Sequence, residues 1–460
     1  MKVLLLNPPG RHCYQRDYYC SKVSKAGNLF HPTDLLILSG ILADRHAVTV
    51  IDALAEQLSP ETCLRQIAAL DPDAIIALCG AVSWDEDQAF FLRLKEWKPR
   101  LRLMVSGDLV LEGPAAFPDA HQVVDALLLD FTSADVLAWL ERGSGEELPT
   151  VIYRHQGEWC GRLPERARDL PFTIPVPRHE LFPEQAYRFP LLRRRPFATV
   201  LTDYGCQHHC RFCVTGNLGY KWRPVANVLE ELEVLAARGC RELYFNDQTF
   251  GLKRERTEEL LRAMAARGYG FGWACWSRVD LVDQELLALL RAAGCHTLMF
   301  GAEAADAELL DRWDKGFQPE AVVSALQQCR EAGIRTLATF LLGLPGQDRA
   351  ACLRTIAFAC SCGCDFASFN VPVPRQTTAL RHEALAQGWV SDRDVVFDQS
   401  GLVTAMGNGI LSAAEIMALR QQAVRSFYLR PGYLVRRLLA VRTPVELRDL
   451  FGFARATLGW

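Results

Sequence analysis

A strong charge of either sign is missing from this sequence: 51 Lys and Arg stand against 54 Asp and Glu in 460 residues, a net charge of −3. No whole-chain basic field therefore points to nucleic acid as a partner. Long hydrophobic runs are missing too. Apolar runs such as residues 339–344 fall far short of the roughly 20 apolar residues that cross a bilayer. The opening stretch from Met1 to Gly10 lacks the length and flanks of a signal peptide, so the expected location is the cytoplasm. Cysteine is not scarce. Sixteen of them in a chain without an export signal fit a reducing compartment, not a disulfide scaffold. Collagen-like, disordered, secreted mini-protein and polytopic membrane classes are excluded. Half the residues are hydrophobic, and at about 150 residues per domain the length allows two or three domains.

Strand and helix signals alternate over residues 1–145. Apolar strands are expected at Val3–Asn7, Val48–Asp52, Ala74–Leu78, Leu101–Ser106 and Ala126–Leu129. Amphipathic stretches, clearest at Glu61–Ala69 and Asp87–Trp97, separate them. Continuous apolar strands between helices predict a doubly wound, Rossmann-like parallel sheet. Such sheets bind ligands beyond the carboxyl ends of their strands. Here those ends carry Asn7-Pro8-Pro9-Gly10, Cys79-Gly80 and Ser106-Gly107-Asp108. Residues 146–196, with prolines at 164, 171, 175, 177, 183, 190 and 196, read as an extended linker strapped over the surface. Alternation resumes over residues 197–387, with five or six βα repeats, enough for a partial (β/α)6 barrel but not a full eight-fold one. Residues 388–460 form a helical, basic C-terminal region. Residues 416–460 hold eight Arg against Glu446 and Asp449, a charge of +6 that leaves −9 for the rest.

The sharpest signal is Gly205-Cys206-Gln207-His208-His209-Cys210-Arg211-Phe212-Cys213, a C-x3-C-x2-C loop directly after the first barrel strand. Three thiolates at this spacing wrap three irons of a cubane cluster and leave the fourth iron open to a small chelating molecule. A structural zinc site, completed by His208 or His209, usually needs a second cysteine pair elsewhere. No such pair is evident. Cys360-x-Cys362-x-Cys364 reads as buried thiols, as do Cys275, Cys295 and Cys329.

This loop, in this place, resembles that of the radical S-adenosylmethionine (SAM) superfamily. The resemblance implies a 4Fe-4S cluster on Cys206, Cys210 and Cys213, and reductive cleavage of SAM to a 5′-deoxyadenosyl radical. It also implies an external electron donor of the flavodoxin or ferredoxin type. Further stretches follow in family order: Asn246-Asp247-Gln248 at the second strand end, Arg278-Val279-Asp280 as "R-x-D", Gly301-Ala302-Glu303 as "G-x-E". Gly343-Leu344-Pro345-Gly346-Gln347 corresponds to the adenine-side "G-x-P-G-E", departing at Gln347. The SAM contacts so implied are Asn246, Asp247, Gln248, Arg278, Glu303 and Gly343.

A doubly wound domain before such a barrel resembles the cobalamin-binding subgroup, known for class B radical SAM methyltransferases. The implied cobalamin contacts are Asn7, Pro8, Gly80, Ser106 and Gly107. The motif D-x-H-x-x-G is absent; the near match Asp119-Ala120-His121 lacks the glycine, so histidine ligation of cobalt is not expected. The G-E-G-E expected after the fifth strand reads Asp130-Phe131-Thr132-Ser133, and Gly-Gly after the fourth reads Ser106-Gly107. Residues 11–25, dense in Arg, Lys, Tyr and Cys, form an insertion with two open readings: a lid touching cofactor or substrate, or a solvated loop.

The expected activity is C-methylation of an unactivated carbon in a lipid or natural product. Its rivals are cobalamin-dependent radical cyclisation, oxidation or rearrangement without methyl transfer, and a non-catalytic iron–sulfur scaffold. The basic, aromatic stretch from Arg425 to Leu439 has two readings as well. It packs on the barrel with its arginines solvated, or it makes peripheral contact with an anionic membrane face.

Overall fold

The computed structural model describes residues 1–24, 27–116, 123–142, 147–163, 168–391, 398 and 406–440. They divide into two compact units. The first comprises Met1–Ser24, Leu29–Arg188 and Lys221–Leu235; the second runs through Phe189–Tyr220 and from Ala236 onward, with a short piece before Leu29.

The first unit is built on β1 (Lys2–Asn7), β2 (Ala47–Asp52), β3 (Ala74–Leu78), β4 (Arg102–Ser106) and β5 (Ala126–Leu128). They pair in parallel in the order β2-β1-β3-β4-β5. That is the flavodoxin-like arrangement, whose order reverses between β1 and β3. Apolar runs such as Leu4-Leu5-Leu6 and Ile75-Ile76 are fully buried because helices cover both faces of a parallel sheet. Those helices are α1 (Thr33–Ala43), α2 (Pro60–Leu70), α3 (Trp84–Trp97) and α4 (Asp135–Arg142).

Within the stretch expected to be linker, β6 (Val151–His155) and β7 (Glu158–Cys160) extend this sheet, antiparallel to β5 and to each other. The proline-rich stretch is no loose surface strap either. It crosses α1 at Gly40, where a β-carbon would meet the carbonyl oxygens of Pro175 and Val176 at 2.8 Å. The Arg178 amide donates to Ser39 Oγ at 2.9 Å. Covered on this side too, α1 is buried from Thr33 to Leu42, which is why its sequence is apolar all round. His179 and Arg223 close the strap on buried Glu231, at 2.9 and 2.6 Å.

The second unit carries β8 (Ala198–Val200), β9 (Glu242–Phe245), β10 (Gly272–Ser277), β11 (Cys295–Glu303), β12 (Arg335–Leu341) and β13 (Phe366–Asn370). All pair in parallel and in chain order, an open six-stranded partial barrel. Its helices begin with α5 (Val225–Ala237), whose residues to Leu235 belong to the first unit. Next come α6 (Arg254–Arg267), α7 (Gln284–Ala292), α8 (Ala307–Arg312), α9 (Pro319–Glu331) and α10 (Arg349–Ser361). Side chains fix where two of them start: Asp283 accepts from the Leu286 amide of α7, and Asp348 from the Ala351 amide of α10, satisfying donors that the first helical turn cannot.

Beyond the barrel lie α11 (Ala379–Ala386), α12 (Ala413–Tyr428) and α13 (Pro431–Ala440). α12 opens with a Ser412–Glu415 capping box and packs on the barrel: Tyr428 Oη bridges the amide and carbonyl of Ala367, and Arg420 donates to the Phe369 carbonyl. α13 leaves Leu434, Val435 and Leu439 exposed.

Candidate functional site

Beyond β8 the cysteine loop opens at Gly205, which ends a short strand, Asp203–Gly205, and whose φ is +74° and β-carbon would lie 2.0 Å from the Gly219 carbonyl. Only glycine fits there, and the following amide of Cys206 donates to that same carbonyl at 3.1 Å. A turn from the Cys213 amide to the Cys210 carbonyl, 2.9 Å, draws the last two cysteines together. Thr249 Oγ1 lies 3.6 Å from Cys206 Sγ, Thr215 Oγ1 3.0 Å from Cys213 Sγ, and Arg278 Nη1 3.7 Å from Cys210 Sγ. Each sulfur thus has a polar neighbour suited to a thiolate. Burial, and then the neighbouring Cys210, push the Cys213 thiol up to about 11; the ligating form of a cysteine is the thiolate, so three of them crowded here call for a cationic centre. Among the described residues no three His, Cys, Asp or Glu side chains converge on a single ion. A cubane makes no such demand, because each thiolate binds a different iron.

The strand-end loops of the second unit converge on the same edge of the barrel. Arg278, at the end of β10, is buried and held in a fork by Asp280 at 2.9 and 2.8 Å, and it also donates to the Lys315 carbonyl at 2.7 Å. Glu303 ends β11 with a left-handed backbone, φ +63°, at a register shift between Gly301 and Glu303. Its carboxylate pairs with the buried Lys315 ammonium at 2.7 Å. Burial is the largest influence on Lys315 and lowers its pKa, but the Glu303 carboxylate and then Cys210 together hold the value above the ordinary one. The glycine of "G-x-E" has a steric origin: a β-carbon on Gly301 would sit 2.3 Å from Glu303 Oε1 and 2.9 Å from Lys315 Nζ.

Asp247 is fully buried, and its oxygens accept from the Thr202 amide and hydroxyl, both at 2.6 Å, and from the Asp203 amide at 3.0 Å. Its carboxylate braces the end of β8. Asn246 is buried beside it and Gln248 half-buried. Gly343 follows β12, and its amide donates to Gln347 Oε1 at 2.8 Å, as does that of Leu344 at 3.0 Å. The departure from Glu at this position keeps the acceptor that closes the turn.

In the first unit Asn7, Pro8, Gly80, Ser106 and Gly107 do gather at the carboxyl ends of the adjacent strands β1, β3 and β4. Their polar groups are already engaged. Asn7 donates to Asp52 at 2.8 Å and accepts from Arg16 at 2.9 Å; Arg16 also caps the Pro8 carbonyl at 2.9 Å and pairs with Asp87 at 2.6 Å. Ser106 Oγ donates to Asp34 at 2.5 Å. Gly107 backs onto the Cys79 carbonyl, and Ser21 of the insertion sits against Gly80. After β5, Asp130 and Thr132 are both held by Lys221. The near match Asp119-Ala120-His121 lies outside the described residues.

Lys315, Thr249, Thr215, Arg16, Asp87 and Lys221 were not legible as site residues, whereas Asp108 stood in the strand-end triplet Ser106-Gly107-Asp108. Thr215 and Thr249 lie in or beside the motifs and had a local signal. The ion-pair partners of the other four lie elsewhere in the sequence, Lys221 and Asp130 being 91 residues apart, and no spacing announces them.

Residues 200–359 match the family model described as the radical SAM superfamily. An uncharacterized methyltransferase of Pyrococcus horikoshii, PH0819, is 27% identical over 99% of this chain and 98% of its own length. Among solved structures, the radical SAM methyltransferase TsrM from Kitasatospora setae, with cobalamin and a [4Fe-4S] cluster, superposes with a TM-score of 0.70 at 18% identity, covering 100% of this chain and 99% of that one. The cobalamin-dependent radical enzyme OxsB, with aqua-cobalamin and SAM, gives 0.71 at 14% identity over 100% of this chain and 71% of its own. Residues 200–359, which carry the three cysteines, therefore form a radical SAM domain, the chain is an enzyme, and its overall fold is that of TsrM and OxsB.

Proposed function

We propose that this enzyme binds cobalamin in its first unit and methylates an unactivated carbon of a small-molecule or lipid substrate. The observation that carries the reading is the pairing, in one chain, of the cysteine-bearing partial barrel with a flavodoxin-ordered sheet, over the full length of relatives named methyltransferases. Cys206, Cys210 and Cys213 would hold the cluster. Arg278 beside Cys210, the Glu303–Lys315 pair and the amides of the Gly343–Gln347 turn would hold SAM. When bound, these groups supply a 5′-deoxyadenosyl radical and a corrin-borne methyl group. The chain's share is to hold the thiolates, fix Arg278 and Glu303 by buried ion pairs, and keep the strand-end loops in register.

Electrons would come from a flavodoxin- or ferredoxin-type donor. A cytoplasmic setting belongs to the same proposal, supported by cysteines that are all free thiols. No helix of the described residues is long and apolar enough to cross a membrane. The exposed Leu434, Val435 and Leu439 favour a lipid-like substrate met at a surface. Product accounting tests the reaction: anaerobic turnover with SAM, reductant and host extract should yield S-adenosylhomocysteine together with 5′-deoxyadenosine. The anaerobic magnesium-protoporphyrin IX monomethyl ester cyclase of Cereibacter sphaeroides, 29% identical over 49% of this chain and 38% of its own length, supports a second reading, cyclisation. 5′-Deoxyadenosine without S-adenosylhomocysteine would select it.

A further inference from the structure

Doubly wound domains receive the phosphates of their ligands on the backbone amides that follow their strands and on helix N-termini. Cobalamin brings such a group: its nucleotide loop joins the corrin to a base through an anionic phosphodiester. In the first unit the amides that follow β3 are already spoken for. After β3, the Gly80 amide donates to Asp87 Oδ2 at 3.1 Å, Ala81 to Asp108 Oδ1 at 3.0 Å, and Val82 to Ser21 Oγ at 3.1 Å. The Cys79 and Ser83 amides are bound to the Ser106 and Gly80 carbonyls at 2.8 and 3.0 Å. After β1, Pro8 and Pro9 have no amide hydrogen to offer.

The insertion completes the closure. Both the amide and the hydroxyl of Ser21 donate to Asp108 Oδ2, at 2.7 and 2.9 Å. Arg16, fully buried, locks on Asp87. Tyr14 Oη reaches Glu86 at 2.7 Å. Charge points the same way. Asp17, Asp34, Asp87 and Asp108 are all buried here, and the first turn of α3 adds Asp85 and Glu86. Arg16 is the cation locked among them, with Lys22 acting on Asp17. Burial pushes Asp17 up to about 7 and Asp34 up to about 8, as expected of carboxyls in a place that disfavours further negative charge.

Resting on the cobalamin reading above, we propose that residues 11–24 fill the switch-point crevice in place of a nucleotide loop, so that the protein recognises the corrin without its tail. Cobinamide, the corrin lacking phosphate, ribose and base, is then as good a ligand as cobalamin.

The test is a pair of anaerobic equilibrium titrations of the full-length, cluster-loaded protein with hydroxocobalamin and with diaquacobinamide, followed by absorbance. Dissociation constants within about threefold of each other are expected, a difference under ~1 kcal/mol. A larger preference for cobalamin overturns the proposal. Binding of neither corrin overturns the cobalamin reading, and this inference with it. Limited trypsinolysis gives an independent readout, since the insertion carries Arg11, Arg16 and Lys22. Cleavage there should be no faster with hydroxocobalamin than with cobinamide; acceleration by cobalamin alone would mean that the tail displaces the insertion, and the proposal fails.

Discussion

A single methyl group at residue 301 would press on both partners of the Glu303–Lys315 pair. In Gly301→Ala the new carbon would overlap Glu303 Oε1, and displacing the carboxylate by about an ångström is enough to cost roughly 100-fold in a positioned reaction. Reductive cleavage of SAM, read as 5′-deoxyadenosine, should fall by about that factor while iron–sulfur absorbance persists; an unchanged rate would remove Glu303 from the SAM site. The cysteines behave differently. Replacing Cys206, Cys210 or Cys213 by Ala should abolish both the absorbance and all SAM cleavage, because three thiolates are the minimum that holds the cluster. Asp34 makes a pH prediction. Burial raises its pKa in the folded state to about 8, against the ordinary value of 3.8. Between those values the native protein binds more protons than the unfolded chain, so stability falls as pH rises through that window. Melting temperatures measured across it should show the decline, and Asp34→Asn should flatten it while keeping an acceptor for Ser106. A slope unaltered by that substitution would mean another group carries the dependence.

Two elements carry predictions that run against their local appearance. Gly40 lies inside α1, where Gly→Ala ordinarily stabilises by about 1 kcal/mol. Here the strap crosses at that point, so Gly40→Ala should destabilise by about 1–3 kcal/mol through overpacking, read as a lowered melting temperature. A raised one would mean that the strap yields. The C-terminal stretch divides between its two expected roles. α12 packs, with Ile416 against Gly343 and Tyr428 on β13, and Arg430 is engaged with the Phe427 carbonyl and ring. α13 keeps Leu434, Val435 and Leu439 exposed. If it meets anionic lipid, full-length protein should sediment with anionic vesicles at low salt and release at high salt, since such contacts contribute about 1 kcal/mol per basic residue and are screened. A chain ending at Arg430 should stay in solution, as should Leu434→Glu/Val435→Glu. Full-length protein remaining in the supernatant at low salt would leave α13 no lipid role.

At the scale of the molecule, the thiolates belong to one compact unit and the flavodoxin-ordered sheet to the other. Cofactor loss should therefore be separable: the Cys206→Ala/Cys210→Ala/Cys213→Ala variant should still take up hydroxocobalamin. Loss of corrin binding together with the cluster, in a folded protein, would contradict an independent first unit.

How much of this was readable in the chain follows from the range over which each feature is decided. Strands such as Ala74–Leu78 were located to the residue because burial on both faces writes a continuous apolar run. The cysteine loop was legible because its three thiols fall within eight residues, and "G-x-E" because its two marker residues stand two positions apart. Tertiary structure decided what depends on residues far apart. It turned Asp247 inward onto Thr202, and brought Lys315 to Glu303 and Arg16 to Asp87. It made strands of Val151–His155, Glu158–Cys160 and Arg168–Pro171 in a supposed linker and laid the chain from Pro175 to Arg178 over α1. It also filled the switch-point crevice with Ser21. Local sequence sets propensity and motif spacing, whereas a buried charge or amide takes its partner from whichever segment the fold brings within about 3 Å, because leaving it unpaired costs more than any local preference can return.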